Sequence, residues 1–317
     1  MDASSTILIT GSAGMIGSGV KRLLASRRFT RVLAPTHAVL DLRDQKAVFE
    51  YMRTNRPAFV FHFAARTGGL YASSSNPAQF SYDNTLIHAN IIEACYRYGV
   101  EKLLIPGSAN IYPKLAPQPV RESEFMNGKM EQGSLPYLCA QINALVMAQS
   151  YAREYGLSVV LPIITNVYGI GDTFDPKAAH VIPALMQRFH EASLKDVPEV
   201  TLWGTGCPLR EFIYVDDLAD ALTMLMEKYG SSNFINVGTA QEISIRTLAE
   251  RVARVVGYEG NINTDETLPD GIPRKVLDCT SLFAMGWKPK INLQEGLERM
   301  YSFHFRHDSQ APVSLGT

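Results

Sequence analysis

Residues 11–17 read Gly11-Ser12-Ala13-Gly14-Met15-Ile16-Gly17, and the chemistry this spacing offers is the holding of a pyrophosphate. They follow an apolar, β-branched run at 6–10 and lead into a helical pattern at 15–26. In such a loop the glycines allow a tight turn, close approach of backbone to phosphate, and close packing of helix on strand. The helix start then presents free N–H groups and the positive end of its dipole to the anion. At the first strand–helix junction of an alternating chain this predicts a dinucleotide, NAD(H) or NADP(H). An acid at the end of the second strand would take the ribose hydroxyls of NAD, and an arginine would favour the 2′-phosphate of NADP. Leu33-Ala34-Pro35-Thr36-His37 offers neither, so the choice stays open. Asp41 and Leu42 follow at a turn, where they could contact adenine, or Asp41 could cap the helix starting near Arg43.

The elements that must position this loop read as an α/β fold: a Rossmann-type, doubly wound parallel sheet with a smaller C-terminal α/β substrate-binding lobe. Strands are expected at 6–10, 30–34, 58–63, 102–106 and 158–163, alternating with helices near 15–26, 44–55, 84–99 and 137–155. Asn84 reads as the cap of the third helix and Gly99 as its stop. Beyond about residue 165 the rhythm loosens. Strands at 200–203, 211–215 and 234–237 mix with helices near 180–192, 216–228, 245–257 and 293–304. The expected organisation is a dinucleotide-binding domain over 1–165, to which some later segments return, a sugar-nucleotide lobe over 166–306, and a frayed polar tail, 307–317.

Composition narrows the function. The 317 residues carry a formal charge of −1, no footprint for coating nucleic acid or anionic membrane. Apolar residues make up 46% and charged ones 19%, a globular mixture. No apolar run approaches the roughly 18–20 residues of a membrane helix, and the first residues enter a strand at once, so no leader is expected. Cys95, Cys139, Cys207 and Cys279 lie far apart without a C-x-x-C pair. Neither a disulfide framework nor a metal site is therefore expected, and the reducing cytoplasm is the default compartment.

Taken with the glycine loop, a series of later strings resembles the extended short-chain dehydrogenases/reductases. One family is matched closely, the GDP-L-fucose synthases (GDP-4-keto-6-deoxy-mannose 3,5-epimerase/4-reductases). The strings are FAARTGGLYAS (63–73), GSANIYPKLAPQP (107–119), Pro136-Tyr137, TNVYG (165–169), HVIPALMQRFHEA (180–192), LWGTGCPLREFIYVDDLA (202–219), INVGT (235–239) and DGIPRKVLD (270–278). The resemblance implies a nicotinamide cofactor along the glycine loop, Asp41, Leu42, Ala64, Ala65, position 141, Asn166, Val167 and His180. It further implies a GDP-linked sugar between the lobes, contacted by Arg188, Trp203, Arg210 and Lys275. Arginine forks suit phosphate oxygens and an indole supplies a flat apolar wall. The bland alternatives are a core aromatic for Trp203 and a surface ion pair between Arg210 and Glu211.

By the same resemblance Ser108 bonds the sugar C4 oxygen and Tyr137 exchanges a proton with it; alone, one tyrosine among 14 would be packing. Two family positions are changed. The lysine expected one turn after Tyr137 is Gln141, on the same helix face. A lysine would lower the phenol's pKa by charge; glutamine brings none, so Tyr137 is expected to stay protonated at neutral pH, which handicaps alcohol oxidation more than ketone reduction. The cysteine that serves as epimerisation base is Asn110, which cannot act as a base. Its partner acid matches His180, for which a capping or packing role is the alternative. The parent activity is thus one expectation. A diverged C4 reductase, single-site epimerase or dehydratase is another, and a non-catalytic dinucleotide-binding regulator a third. A homodimer through helices 84–99 and 137–155 is implied, with Ile142, Leu145, Val146 and Gln149 as a stripe serving either core or interface.

Overall fold

Strand β1 (Ile7–Thr10) is buried along its whole length, the pattern of a strand covered on both faces. In this computed structural model, which describes residues 1–68, 75–176 and 178–306, it lies inside a parallel sheet. Its companions are β2 (Val32–Leu33), β3 (Phe59–His62), β4 (Lys102–Leu104), β5 (Gly107–Ser108), β6 (Val159–Ile164) and, much later in the chain, β10 (Phe234–Val237). The order is β10-β6-β4-β3-β1-β2, with β5 pairing on the far end of β6, and every ladder is parallel. Successive side chains of β1 divide between two cores, as a period of two requires. Leu8 packs beneath α2 (Gln45–Asn55), α3 (Pro77–Arg97) and α4 (Leu135–Tyr155), whereas Ile7 and Ile9 face α1 (Met15–Ser26) and α6 (Val215–Lys228). The chain leaves β1 toward β2 on one side and later returns to β3 on the other. The crevice at the carboxyl end of β1 is therefore a topological switch point, where open α/β sheets bind ligands.

A third core lies under α5 (Val181–Leu194), α7 (Ile245–Val256) and α9 (Leu293–Tyr301) and includes Met186, Phe189, Leu248 and Met300. Its strands are β7 (Asn166–Tyr168), β8 (Glu199–Trp203), β9 (Leu209–Tyr214), β11 (Glu242–Ser244), β12 (Asn261–Asp265) and β13 (Arg274–Lys275). β9 is the hub, parallel to β7 and β13 and antiparallel to β11, while β8 pairs with β12 alone. The short α8 (Thr280–Ala284) precedes α9.

The structure departs from the sequence reading in several places, and strands β7, β11, β12 and β13 and helix α8 are not among the expected elements. The third helix begins at Pro77, not Asn84. Asn84 is buried inside it and clasps Arg66, accepting from its backbone N–H at 2.6 Å and donating to its carbonyl at 3.1 Å. The cap near Arg43 is Asp44, which accepts from Ala47 N, and not Asp41. The expected strand 102–106 stops at Leu104, and β5 resumes at Gly107. The last helix ends at Tyr301 and runs on as a π-helical turn, Ser302–Arg306. The tail 307–317 and positions 69–73 of the FAARTGGLYAS string lie outside the described residues. Among those described, no helix is long and apolar enough to cross a membrane, and all four cysteines are free.

Directly below the glycine loop runs a buried polar chain. Thr10 Oγ1 and His62 Nδ1 are 2.7 Å apart, and His62 Nε2 and His88 Nδ1 are 2.9 Å apart. Burial pushes both imidazoles well down, His88 to about 4, and His88's field adds to the effect on His62. An unfolded histidine binds a proton near pH 6.5, so between that value and the folded pKa protons favour the unfolded chain. Stability is complete near neutrality and falls with pH by about 1.4 kcal/mol per pH unit for each histidine. Urea unfolding from about pH 7 down to about pH 5 should show this slope, and His88→Gln should make it shallower; parallel slopes would remove His88 as its source.

Candidate active site

The N-cap of α1 is Gly14, which has no side chain to bond the first-turn amides. Gly11 has φ +67° and lies so close to Ala64 that a Cβ would meet that residue's backbone N–H at 2.7 Å. A Cβ on Gly17 would run into the Gly11 carbonyl. Gly11 and Gly17 are therefore demanded by geometry, and the helix start that they place suits a pyrophosphate. A cavity of about 410 Å³ opens over them, lined by Gly11, Ser12, Ala13, Gly14, Asp41, Leu42, Ala64 and Ala65. Met15 and Ile16 turn instead to the apolar cores. Asn166 donates to the Glu211 carbonyl at 2.8 Å, and Val167 packs between two cores, so neither side chain faces this cavity. Asp41 is gripped by Arg43, at 3.0 Å from Nε and 2.7 Å from Nη2, which holds its carboxyl down at about 2.

The second half of the site is built where β5 meets α4. Tyr137 and Gln141 occupy successive turns of α4. The backbone N–H of Ser108 donates to Gln141 Oε1 at 3.0 Å, and Gln141 Nε2 lies 3.2 Å from Tyr137 Oη. A backbone N–H can only donate, so it fixes the amide with oxygen toward Ser108 and nitrogen toward the phenol. Tyr137 Oη thus accepts, and its own proton is free to point elsewhere. Burial raises the phenol's pKa, and the Gln141 bond only partly opposes it. Asn110 sits exposed on the turn after β5; its N–H donates to Ser108 Oγ at 3.2 Å. Its Oδ1 accepts from Lys275 Nζ, reaching over from β13. Burial and neighbouring Arg210 push that amine down to about 8, against Glu131.

Lys275 and Arg210 are cross-strand partners on β13 and β9. The surface ion pair of Arg210 with Glu211 does not form. Glu211 points the other way, wholly buried, and accepts from the amides of Thr239, Ala240 and Leu277. Trp203 is 76% exposed at the end of β8, so it is not a core aromatic. Arg188 is exposed on α5 and bonds the Thr201 carbonyl at 2.6 Å. His180 is the N-cap residue of α5, where its carbonyl accepts from Ala184 N at 3.0 Å; its exposed side chain makes no capping bond.

Sequence reasoning missed three acids and one arginine. Asp270 accepts from Thr205 N and Oγ1 beside Arg210, and the DGIPRK string could have suggested it. Asp172 is buried near His180, and among the described residues no hydrogen-bond donor reaches its Oδ2. Asp83 and Arg66 line the dinucleotide cavity as an ion pair of 3.1 Å, from segments that no local pattern joins.

Comparison with known proteins agrees with this geometry. Residues 7–238 match the NAD dependent epimerase/dehydratase family. GDP-L-fucose synthase 1 of Arabidopsis thaliana is 42% identical over 306 residues, 96% of this chain and 95% of its own. A GDP-6-OMe-4-keto-L-xylo-heptose reductase from C. jejuni has a similar structure, with a TM-score of 0.90 at 29% identity over 98% of this chain and 99% of its own. So does MlghC, a GDP-mannoheptose C4 reductase from Campylobacter jejuni with NADP bound, with a TM-score of 0.87 at 30% identity over 96% and 99%. With a glycine cradle at the switch point, and Ser108 and Tyr137 both bonded to Gln141, the chain belongs to the NAD dependent epimerase/dehydratase family, among its GDP-L-fucose synthases.

Proposed function

We propose that this chain is a GDP-L-fucose-synthase-like epimerase/reductase of a GDP-linked 4-keto (deoxy) sugar, working in the reductive direction. The observation that carries the reading is the hydrogen-bond polarity of its two hydroxyls. Ser108 Oγ accepts from Asn110 N, and Tyr137 Oη accepts from Gln141 Nε2, so both O–H groups are left as donors. Two donors suit the oxygen of a ketone that gains negative charge as it is reduced. A bound nicotinamide dinucleotide supplies the hydride to C4. Tyr137 gives its proton to the C4 oxygen, and Ser108 holds that oxygen by a hydrogen bond. Oxidation would need Tyr137 as phenolate, and its raised pKa keeps that form scarce at neutral pH.

In this reading residues 1–165, with the later segments that rejoin the large sheet, hold the dinucleotide, and 166–306 mainly hold the sugar nucleotide. Arg188, Arg210 and Lys275 take the diphosphate and sugar, and Trp203 offers its open face to the base or sugar. Asn110 favours a second reading within the same class, C4 reduction without the family's epimerisation. It has no basic form, and its oxygen is already taken by Lys275. His180 is left as the acid/base for at most one face of the sugar.

The reading also makes the protein a cytoplasmic homodimer. Four free thiols suit a reducing compartment. On α3 and α4, Tyr96 and Tyr155 stack at 4.3 Å on the surface with Val146 exposed on the same helix pair. Of the stripe read from the sequence, Leu145 is buried and Ile142 packs on the core, so the interface would rest on Val146 and the tyrosines. Sedimentation velocity should return twice the chain mass, and Tyr96→Asp with Tyr155→Asp should halve it; a wild-type monomer would end the dimer reading.

Reaction with GDP-4-keto-6-deoxy-mannose and reduced dinucleotide in D2O, followed by mass spectrometry, separates the two readings: both give reduced product, and the second, C4 reduction alone, gives it without carbon-bound deuterium. Deuterium at C3 or C5 would exclude that second reading and point to His180 as the base of epimerisation. Tyr137→Phe should cost about a hundredfold or more in turnover while dinucleotide affinity is kept. Unchanged turnover would remove Tyr137 from the chemistry. Gln141→Lys places a cation by the phenol, which lowers an acid's pKa by about 1–3 units. It should raise the rate of alcohol oxidation more than that of ketone reduction, and equal effects would show that position 141 does not tune the proton donor.

A further inference from the structure

The dinucleotide cavity contains two arginines, and neither is at liberty. Arg43 forks onto Asp41 through Nε and Nη2, at 3.0 and 2.7 Å, and its Nη1 lies 3.5 Å from Asp83. Arg66 Nη1 lies 3.1 Å from the other oxygen of Asp83, and its guanidinium rests over the Phe80 ring. Asp83 is 4% exposed, so its two arginine partners offset the cost of burying its charge. The remaining basic side chain on the lining, His37, faces Asp41 at 3.9 Å and is otherwise in solvent. The described lining therefore sets two guanidinium charges against two carboxylates, and each cation is already matched.

The segment leaving β2 adds nothing positive. Ala34 spends its carbonyl on Ser12 Oγ at 3.4 Å, and the Thr36 carbonyl accepts from the amides of Val39 and Leu40. Pro35 has no N–H to offer a phosphate. This is the place, after the second strand, where an arginine accommodates a ribose 2′-phosphate. A phosphate monoester brings about −1.5 to −2 charges at pH 7 and binds well only to groups that answer it with charged donors. In this cavity it would face Asp41, held ionised, with both arginines already committed. A ribose hydroxyl brings no charge and meets no such penalty.

We infer that this chain takes NAD(H) in preference to NADP(H), because the lining between the end of β2 and Arg43 holds no uncommitted cation for a 2′-phosphate. The inference rests on the reading of this cavity as the dinucleotide site and sharpens it, since the related structure MlghC carries NADP. Affinity is measured directly, by calorimetric titration of the full chain with NADH and with NADPH at about 0.1 M salt, where charges are screened beyond about 10 Å. NADH should bind about tenfold tighter or more, and Ala34→Arg should raise NADPH affinity about tenfold while moving NADH less than about threefold. Equal affinities, or tighter NADPH, would overturn the preference. An NADH preference that Ala34→Arg leaves unchanged would overturn the charge argument. Binding of neither would instead overturn the assignment of the cavity to a dinucleotide.

Discussion

The carboxylate of Glu211 joins the two halves of the site. It leaves the middle of β9, is fully buried, and divides its two oxygens among three backbone amides: Thr239 and Ala240 after β10, and Leu277 after β13. Burial pushes its pKa up and those amides pull it back, so the group persists in the interior because the chain wraps donors around it. Its own carbonyl accepts from Thr165 and Asn166, at the end of β6 and the start of β7. One residue therefore fastens the large sheet, the small sheet and the two-residue strand β13 to one another. A Cβ on Gly238 would collide with the carboxylate, so the turn after β10 must carry glycine there. Arg210 precedes Glu211 and Lys275 pairs across from Arg210, so these two cations are placed by this anchor.

The chemical consequence is a division of charge. Tyr137's surroundings are set by burial and by a neutral amide, while the cation Lys275 stands on the other side of Ser108, bonded to Asn110. A cation beneath a phenol favours its ionised form; a cation beside the substrate oxygen favours an oxyanion there. In the proposed reading the positive charge that the family resemblance leads one to expect one turn after Tyr137 is absent, and the neutral Gln141 stands there. The Lys275 amine is itself lowered to about 8 by burial and by Arg210, so its charge weakens in mildly alkaline solution.

Much of this architecture was legible because it rests on local rules. Helix α1 spans the expected 15–26, since the glycine loop fixes its start and an apolar stripe its face. β10 also falls where an isolated apolar run placed it. Errors fell where a polar side chain serves a distant backbone. Asn84 looks like a cap because asparagine often is one, yet it satisfies the Arg66 peptide 18 positions away. Asp41 and Asp44 both suit a cap, and only the fork of Arg43 decides between them. Glu211 next to Arg210 reads as an ion pair, and a strand sends neighbouring side chains to opposite faces.

The least legible contact is the one between Lys275 and Asn110, which are 165 positions apart. Lys275 belongs to a strand of two residues, too short for any periodicity, and its register follows from β9 and the Glu211 anchor beyond it. Sequence alone shows two neutral residues, Asn110 and Gln141, where the family resemblance implies a base and a cation, and that reads as lost chemistry. The fold brings a lysine to one of those positions and an amide of fixed orientation to the other. What the substitutions change is therefore the polarity of the site. The two hydroxyls are held as acceptors by the protein and left as donors to whatever enters, which in the proposed reading is an arrangement for delivering a proton and not for removing one.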